Sequence, residues 1–264
     1  EIIICGIPFD GTVSFRPGSR FAPSAIRNVL YGLETYSPYQ DKDITDYKVF
    51  DTGDVEIPIG NTERTLKTIE DFLTPLFAKK KKILSLGGEH LITLPIIKAA
   101  LIQYPSIKII HFDAHTDMRE DYIGEKLSHS TVMRRIGEIT GFKNIFQFGI
   151  RSGLKAEWDF CKSNGNFNPF NTDNAKNIAD SINDKEPIYI SLDMDVLDPS
   201  YFPGTGTPEP CGITTKQLLD ALLAFKNKNV IGADIVELSP DYDKSGISSV
   251  TASFFLRELA LILT

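Results

Sequence analysis

IKIIHFDAHTD (residues 107–117) and IYISLDMDVLDP (residues 188–199) follow one plan, an apolar run rich in isoleucine that breaks into a cluster of acids. Apolar runs without alternation suit strands covered on both faces. Asp113, His115 and Asp117 fall at every second residue, as do Asp193 and Asp195, so each group leaves the chain on one side where its strand ends. Carboxylates and imidazoles gathered there repel one another and lose hydration, at a cost of several kcal/mol or through large pKa shifts, unless cations hold them. Each cluster alone also has a purely structural reading: Asp and Thr of DAHTD capping the next helix, and DMDVLDP forming an Asx turn before Pro199. Both clusters ending strands in one chain favours a site for two cations. Asp198 is left to the turn, because it directly precedes the proline.

Outward from these runs, similar apolar stretches recur at 2–7, 48–51, 82–86, 144–149 and 230–236. Helical patterns fill most of the gaps: Leu66, Ile69, Leu73, Leu76 and Phe77 share one face at a period of 3.6, as do Leu218, Leu219, Leu222 and Leu223. This alternation predicts an α/β fold, a mostly parallel central sheet between two helical layers, with ligands bound beyond the carboxyl ends of the strands. Segment 163–174 is polar and Asn-rich and is expected to be a surface loop. No repeat or Pro/Gly linker divides the chain, and at 264 residues it is expected to form one domain over 1–264.

A formal charge of −7 argues against a general nucleic-acid binder, which needs clustered Lys and Arg. The only basic run, lysines 79–82, follows the amphipathic stretch 62–78 and suits the negative end of a helix dipole. Cys5, Cys161 and Cys211 are too few and too scattered for a disulfide framework or a thiolate zinc site, so a reducing, cytoplasmic setting is expected. No stretch approaches the roughly 18 apolar residues of a membrane span, and no leader pattern is present. The chain opens at Glu1, directly in strand-like sequence without an initiator Met, and a preceding segment is expected.

Further candidates stand where other runs end. His90 follows a strand and two glycines in ILSLGGEHLITL, either as a ligand level with the acids or as a helix N-terminal histidine bonded to backbone; the glycines are expected to permit a sharp turn. With His90, four carboxylates and two imidazoles make an oxygen-rich set that suits manganese better than structural zinc. His111 shares the side of Asp113 but lies deeper in its strand, in a supporting or core role. His129, in KLSHSTVMRR, reads as a proton shuttle or a helix cap. Glu237 ends the last strand, facing a cationic substrate or forming a salt bridge at the sheet edge.

In GIPFDGTVSFRPGSRFAPSAIR (6–27), GGEH (87–90), HFDAHTD (111–117), SHST (128–131), GIRSG (149–153), SLDMDVLDPSYFPGTGTPEPCG (191–212) and DIVELSP (234–240), the chain resembles the ureohydrolases, the arginase and agmatinase superfamily, over nearly its whole length. The resemblance implies an arginase-like three-layer α/β/α fold with about eight strands, and two Mn²⁺ ions per subunit. It implies that His90 and Asp117 bind one ion, His115 and Asp195 the other, and that Asp113 and Asp193 bridge them. A hydroxide between the metals would attack a guanidinium carbon, His129 would protonate the departing amine, Glu237 would hold the guanidinium, and Thr207 would assist from the PGTGTP loop. It also implies a homo-oligomer, a trimer or hexamer.

Arginases carry aspartates for the α-amino group in the segment that here places Ser152 and Leu154, and their loop matching 118–128 is rich in Asn and Ser. Here that loop has Glu120, Asp121 and Glu125, which suit a distal ammonium, so agmatine is the expected substrate, giving the polyamine putrescine and urea. Arg119 and Lys126 suit a distal carboxylate instead, which makes guanidinobutyrate or another guanidino acid the competitor. The family usually has Gly after the histidine of SHST; Ser130 stands there, and a shifted loop backbone is expected. A zinc deacetylase-like hydrolase and an inactive binding homologue are weaker alternatives, because all six ligand positions are filled.

Overall fold

The computed structural model describes residues 1–264. Eight strands form one sheet: β1 Ile2–Ile7, β2 Val49–Asp54, β3 Lys82–Gly87, β4 Lys108–Phe112, β5 Ile145–Phe148, β6 Asn166–Asn168, β7 Ile188–Asp193 and β8 Val230–Val236. In space they run β2-β1-β3-β8-β7-β4-β5-β6, and every neighbouring pair is parallel. The helices are α1 Ala22–Val29, α2 Thr62–Ala78, α3 Thr93–Gln103, α4 Val132–Thr140, α5 Lys155–Asn164, α6 Ala175–Ser181, α7 Thr215–Leu223 and α8 Ile247–Ile262.

A parallel sheet must bury both faces, and the helices divide accordingly. Ile26 of α1, Ile178 of α6, Leu222 of α7 and Phe255 of α8 join one apolar core; Ile69 of α2, Ile97 of α3, Ile136 of α4 and Cys161 of α5 join the other. Neighbouring strand residues point into opposite cores, as Ile109 and Ile110 do. The α2 helix starts at the Asn61 cap, whose side chain accepts the Arg64 N–H at 2.9 Å, and closes at Lys79. The lysine run therefore forms the helix end and the turn into β3, as its charge suggests.

The three-layer parallel architecture is as the sequence implies, with one strand misread. Segment 163–174 is not all loop: it begins in the last turn of α5 and contains β6, which pairs with β5 alone. An edge strand of three residues is held by main-chain bonds to one neighbour and needs no apolar run, so its polar sequence carried no strand signal.

Strand order positions the site. β3, β8, β7 and β4 are consecutive neighbours with their carboxyl ends abreast: Ile235 pairs with Leu86, Val236 with Asp193, and Phe112 with Leu192.

Candidate metal centre

The four central strands deliver the candidate residues to one cleft: His90 after β3, Asp113, His115 and Asp117 after β4, Asp193 and Asp195 at the end of β7, and Glu237 after β8. Neither Gly87 nor Gly88 takes a positive φ, so the expected sharp turn is not what requires glycine. The reason is space: a Cβ on Gly88 would overlap the Phe9 carbonyl oxygen, and one on Gly87 would lie 2.6 Å from Val236 Cγ1. Asp117 and Glu237 do sit in the left-handed region, at φ 51° and 64°. Such conformations cost about 1–3 kcal/mol and persist where the surroundings enforce them. Here the Asp117 carbonyl accepts the Arg134 N–H at 3.1 Å, and the Glu237 N–H donates to the Gly88 carbonyl at 2.9 Å.

The two histidines offer the same atom. His90 Nδ1 lies 3.1 Å from Asp113 Oδ2, 3.1 Å from Asp117 Oδ2 and 3.2 Å from Asp193 Oδ2. It is buried and makes no hydrogen bond to any of them. His115 Nδ1 lies 3.1 Å from Asp195 Oδ2 and 3.4 Å from Asp113 Oδ1. Asp113 thus faces both imidazoles with different oxygens. A buried lone pair ringed by carboxylate oxygens is the donor arrangement of a cation site, and the nitrogen and oxygen donors fit a divalent ion of intermediate softness.

Tautomers follow from residues the sequence did not single out. Ser191 donates to Asp234 Oδ1 at 2.9 Å, so its oxygen accepts from His90 Nε2, also at 2.9 Å. Thr93 and Tyr189 donate to the other Asp234 oxygen. His111 meets the supporting role expected of it: Gln147 donates to its Nδ1 at 3.1 Å, so its Nε2–H donates to Asp113 Oδ2 at 2.8 Å. With both nitrogens engaged inside the protein, His111 aims neither at the cleft. The only signal for Ser191 and Asp234 was their place within strands two and three residues short of site residues, which reads equally as core.

Charge in the cleft is frustrated. Burial and the neighbouring Asp113 push Asp117 up to about 7, and burial with Asp195 and Asp113 raises Asp193 well above the carboxylate range. Burial opposes charge on His90, yet Asp113, Asp117 and Asp193 together raise it well above the ordinary histidine value. Bound cations would relieve this crowding of charge.

The cleft opens into a cavity of about 340 Å³, with Ser14, Arg119, Tyr122, His129, Thr207 and Glu209 among its lining. Ser128 and Thr131 exchange the helix-capping bonds before α4, so His129 is not the cap and turns toward the cavity. Ser130 has no positive φ, so its backbone conformation there is one that a serine adopts without strain. Thr207 donates to Asp195 Oδ2 at 3.2 Å. Glu237 Oε1 accepts the His90 N–H at 2.8 Å, which leaves Oε2 for the cavity; it makes no salt bridge at a sheet edge. Asp198 accepts from Ser200 and Gly212, in the turn role assigned to it.

Loop 118–128 departs from expectation. Glu120 pairs with Arg134 at 2.8 Å, Asp121 accepts the Gly124 N–H at 2.8 Å, and Glu125 lines a separate depression. None of these acids, nor Lys126, lines the main cavity; Arg119 and Tyr122 do. The loop turns back on itself through mutual Tyr122 and Glu125 main-chain bonds, and Glu120, Asp121, Glu125 and Lys126 stand exposed on it. The acid the sequence overlooked is Glu209, which accepts from Ser152 Oγ at 2.8 Å and stands 3.7 Å from His115 Nε2.

Comparison with known proteins agrees with this geometry. Residues 1–262 match the model of the Arginase family. The chain is 48% identical to an agmatinase of Bacillus anthracis, over 99% of this chain and 91% of that one. It is 34% identical to the mitochondrial guanidino acid hydrolase of Homo sapiens, over 98% and 77% of the two chains. The crystal structure of a candidate agmatinase from Clostridium difficile superposes with a TM-score of 0.96 at 48% identity, covering 99% of this chain and 96% of that one. The family match over residues 1–262 and the 48% identity over 99% of the chain, together with a β3–β8–β7–β4 cleft that gathers the acids and histidines of the motifs, make this chain a member of the arginase family of hydrolases.

Proposed function

We propose that the protein is a binuclear manganese amidinohydrolase that converts agmatine and water into putrescine and urea. The observation that carries this reading is His90 Nδ1, buried, without a hydrogen bond, and within 3.2 Å of Asp113, Asp117 and Asp193. His90 and Asp117 would hold one ion, His115 and Asp195 the other, with Asp113 and Asp193 shared; the two faces of Asp113 support the sharing. Bound cations supply a water acidic enough to act as nucleophile near neutral pH.

The remaining work falls to this chain's residues. Glu237 Oε2 receives the guanidinium through charge-assisted hydrogen bonds and sets its carbon over the cleft. Thr207 steadies Asp195. His129 holds its Nδ1 proton on the Thr12 carbonyl at 2.9 Å, so Nε2 is the atom that takes up a proton and returns it to the departing amine. Urea and the diamine then leave through the cavity mouth.

Agmatine is favoured by the charge that remains open. Arg119 lines the cavity but has Glu157 at 3.7 Å and stacks over Tyr122. Glu157 is itself engaged by Thr116, Met118 and Leu154. Glu209 meets the Ser152 hydroxyl and His115 through Oε1 alone, which leaves its Oε2 without a partner in the cavity wall to meet an ammonium. Arg119 supports a second reading, a guanidino acid such as guanidinobutyrate, in line with the human relative's name. We further propose that 1–264 acts as one catalytic domain in a homo-oligomer, in the cytoplasm, where the free Cys5, Cys161 and Cys211 would stay reduced. No helix is long and apolar enough to cross a membrane.

The test supplies manganese to purified protein and offers agmatine, guanidinobutyrate and arginine separately, with urea measured in each. Agmatine should turn over fastest. Preference for arginine would reject the substrate assignment, and one zinc per chain with turnover of acetylated polyamines would replace the whole reading by a deacetylase.

A further inference from the structure

We propose that Glu89 and Thr12 form a positioning pair that fixes both the place and the tautomer of His129. The inference rests on the reading of His129 as the proton shuttle.

Glu89 is fully buried, and neither metal binding nor substrate binding uses it. Its main-chain N–H donates to the Phe9 carbonyl at 2.7 Å, at the close approach that requires Gly88. Its carboxylate spends both oxygens on one residue: Oε2 accepts the Thr12 N–H at 2.7 Å, and Oε1 accepts the Thr12 hydroxyl. The hydroxyl oxygen also accepts from a third group, whichever of the two residues holds the proton between them. The group is the His129 N–H, at 3.1 Å. The Thr12 carbonyl takes the His129 Nδ1 proton at 2.9 Å. Backbone and ring of His129 therefore both end on Thr12, and Thr12 ends on Glu89.

This geometry forces the chemistry of the ring. With Nδ1–H engaged, Nε2 is the accepting nitrogen on the cavity side, where it takes the Ser14 hydroxyl proton at 3.1 Å. A buried carboxylate is costly unless its hydrogen bonds are made, so Thr12 is held in one orientation rather than several. The same loop is pinned beyond Ser14, where Arg16 donates to the Gly206 and Thr205 carbonyls and covers the Tyr242 ring at 4.2 Å. The loop at 10–18 thus bridges the shuttle histidine and the loop that carries Thr207.

The experiment compares His129→Ala, Thr12→Val, Thr12→Ser and Glu89→Gln in the manganese-loaded protein, with agmatine as substrate and urea and bound metal as readouts. Correct placement of a general acid or base contributes about 10²–10⁴-fold, so Thr12→Val is expected to lower kcat by about 10–100-fold, with KM and metal content within about twofold. Thr12→Ser keeps the hydroxyl and should recover most of kcat. In the His129→Ala background, Thr12→Val should cost nothing more. If His129→Ala is inactive while Thr12→Val is not impaired, the pair has no positioning role although the shuttle stands. If His129→Ala keeps full kcat, the shuttle reading itself falls. Loss of metal in Thr12→Val, or no recovery in Thr12→Ser, would make the pair merely structural. Should Glu89→Gln fail to fold, the two threonine variants still decide.

Discussion

Asp234 and His90 do not touch, yet the Asp234 carboxylate decides which nitrogen of His90 faces the cleft. Because Ser191 gives its proton to Asp234, it can only accept from His90 Nε2, and Nδ1 is left bare among three carboxylates. Removing such supporting bonds lowers metal affinity by about 10–100-fold. Ser191→Ala should therefore bind manganese that much more weakly while keeping its fold, as titration with a metal indicator would show. Unchanged affinity would mean that the carboxylates alone orient the ring.

Glu209 should govern the distal end of the substrate. Glu209→Gln removes the open negative charge while retaining a hydrogen-bond partner for Ser152. A lost charge-assisted bond is worth about 1.5–3 kcal/mol, so kcat/KM for agmatine should fall by about 10–100-fold, with guanidinobutyrate unaffected or improved. Equal losses on both substrates would assign Glu209 to the support of His115 instead.

His129 links stability to pH. Burial, aided by the nearby His115 and His90 and opposed by the Thr12 carbonyl, lowers its pKa to about 4. In the unfolded chain it titrates near about 6.5, so between those values the unfolded state holds the extra proton and stability falls as pH drops, by at most about 3 kcal/mol. Glu89, raised to about 8 mainly by burial, slopes the opposite way, and His129→Gln leaves that slope in place. Urea unfolding at pH 7 and pH 4.5 should show the variant losing less stability than the parent; parallel losses would contradict the buried neutral ring.

Gly88 tests the packing under the site. A methyl group there meets the Phe9 carbonyl, a backbone atom that moves only with the loop. Overpacking of this kind costs typically about 1–3 kcal/mol. Gly88→Ala should lower the melting temperature by several degrees and impair turnover, because the displaced strand end carries both Glu89 and His90. A variant with normal melting and turnover would show that loop 8–12 is not held in close register with β3.

Much of this was legible without coordinates. The apolar runs of β4 and β7 mark where each strand ends, so the identity of the donors and their place at the carboxyl edge are properties of adjacent residues; their directions are not, because Asp113, His115 and Asp117 lie beyond β4, Asp117 at a left-handed φ, and Asp195 lies in the short helical turn 194–196 after β7. The apolar runs of the buried strands were legible for the same reason. What adjacency cannot encode is which strands become neighbours and where a loop returns. The order β3-β8-β7-β4 joins His90, Glu237 and the acids into one cleft through pairings between residues scores of positions apart. The self-closing 118–128 loop turns Glu120, Asp121 and Glu125 away while Glu209 enters from beyond β7, because side-chain direction in loops is set by the particular turn and its hydrogen bonds rather than by a period. For the same reason the short polar edge strand β6, and the supports Thr12, Glu89, Ser191 and Asp234, become visible only in the folded chain.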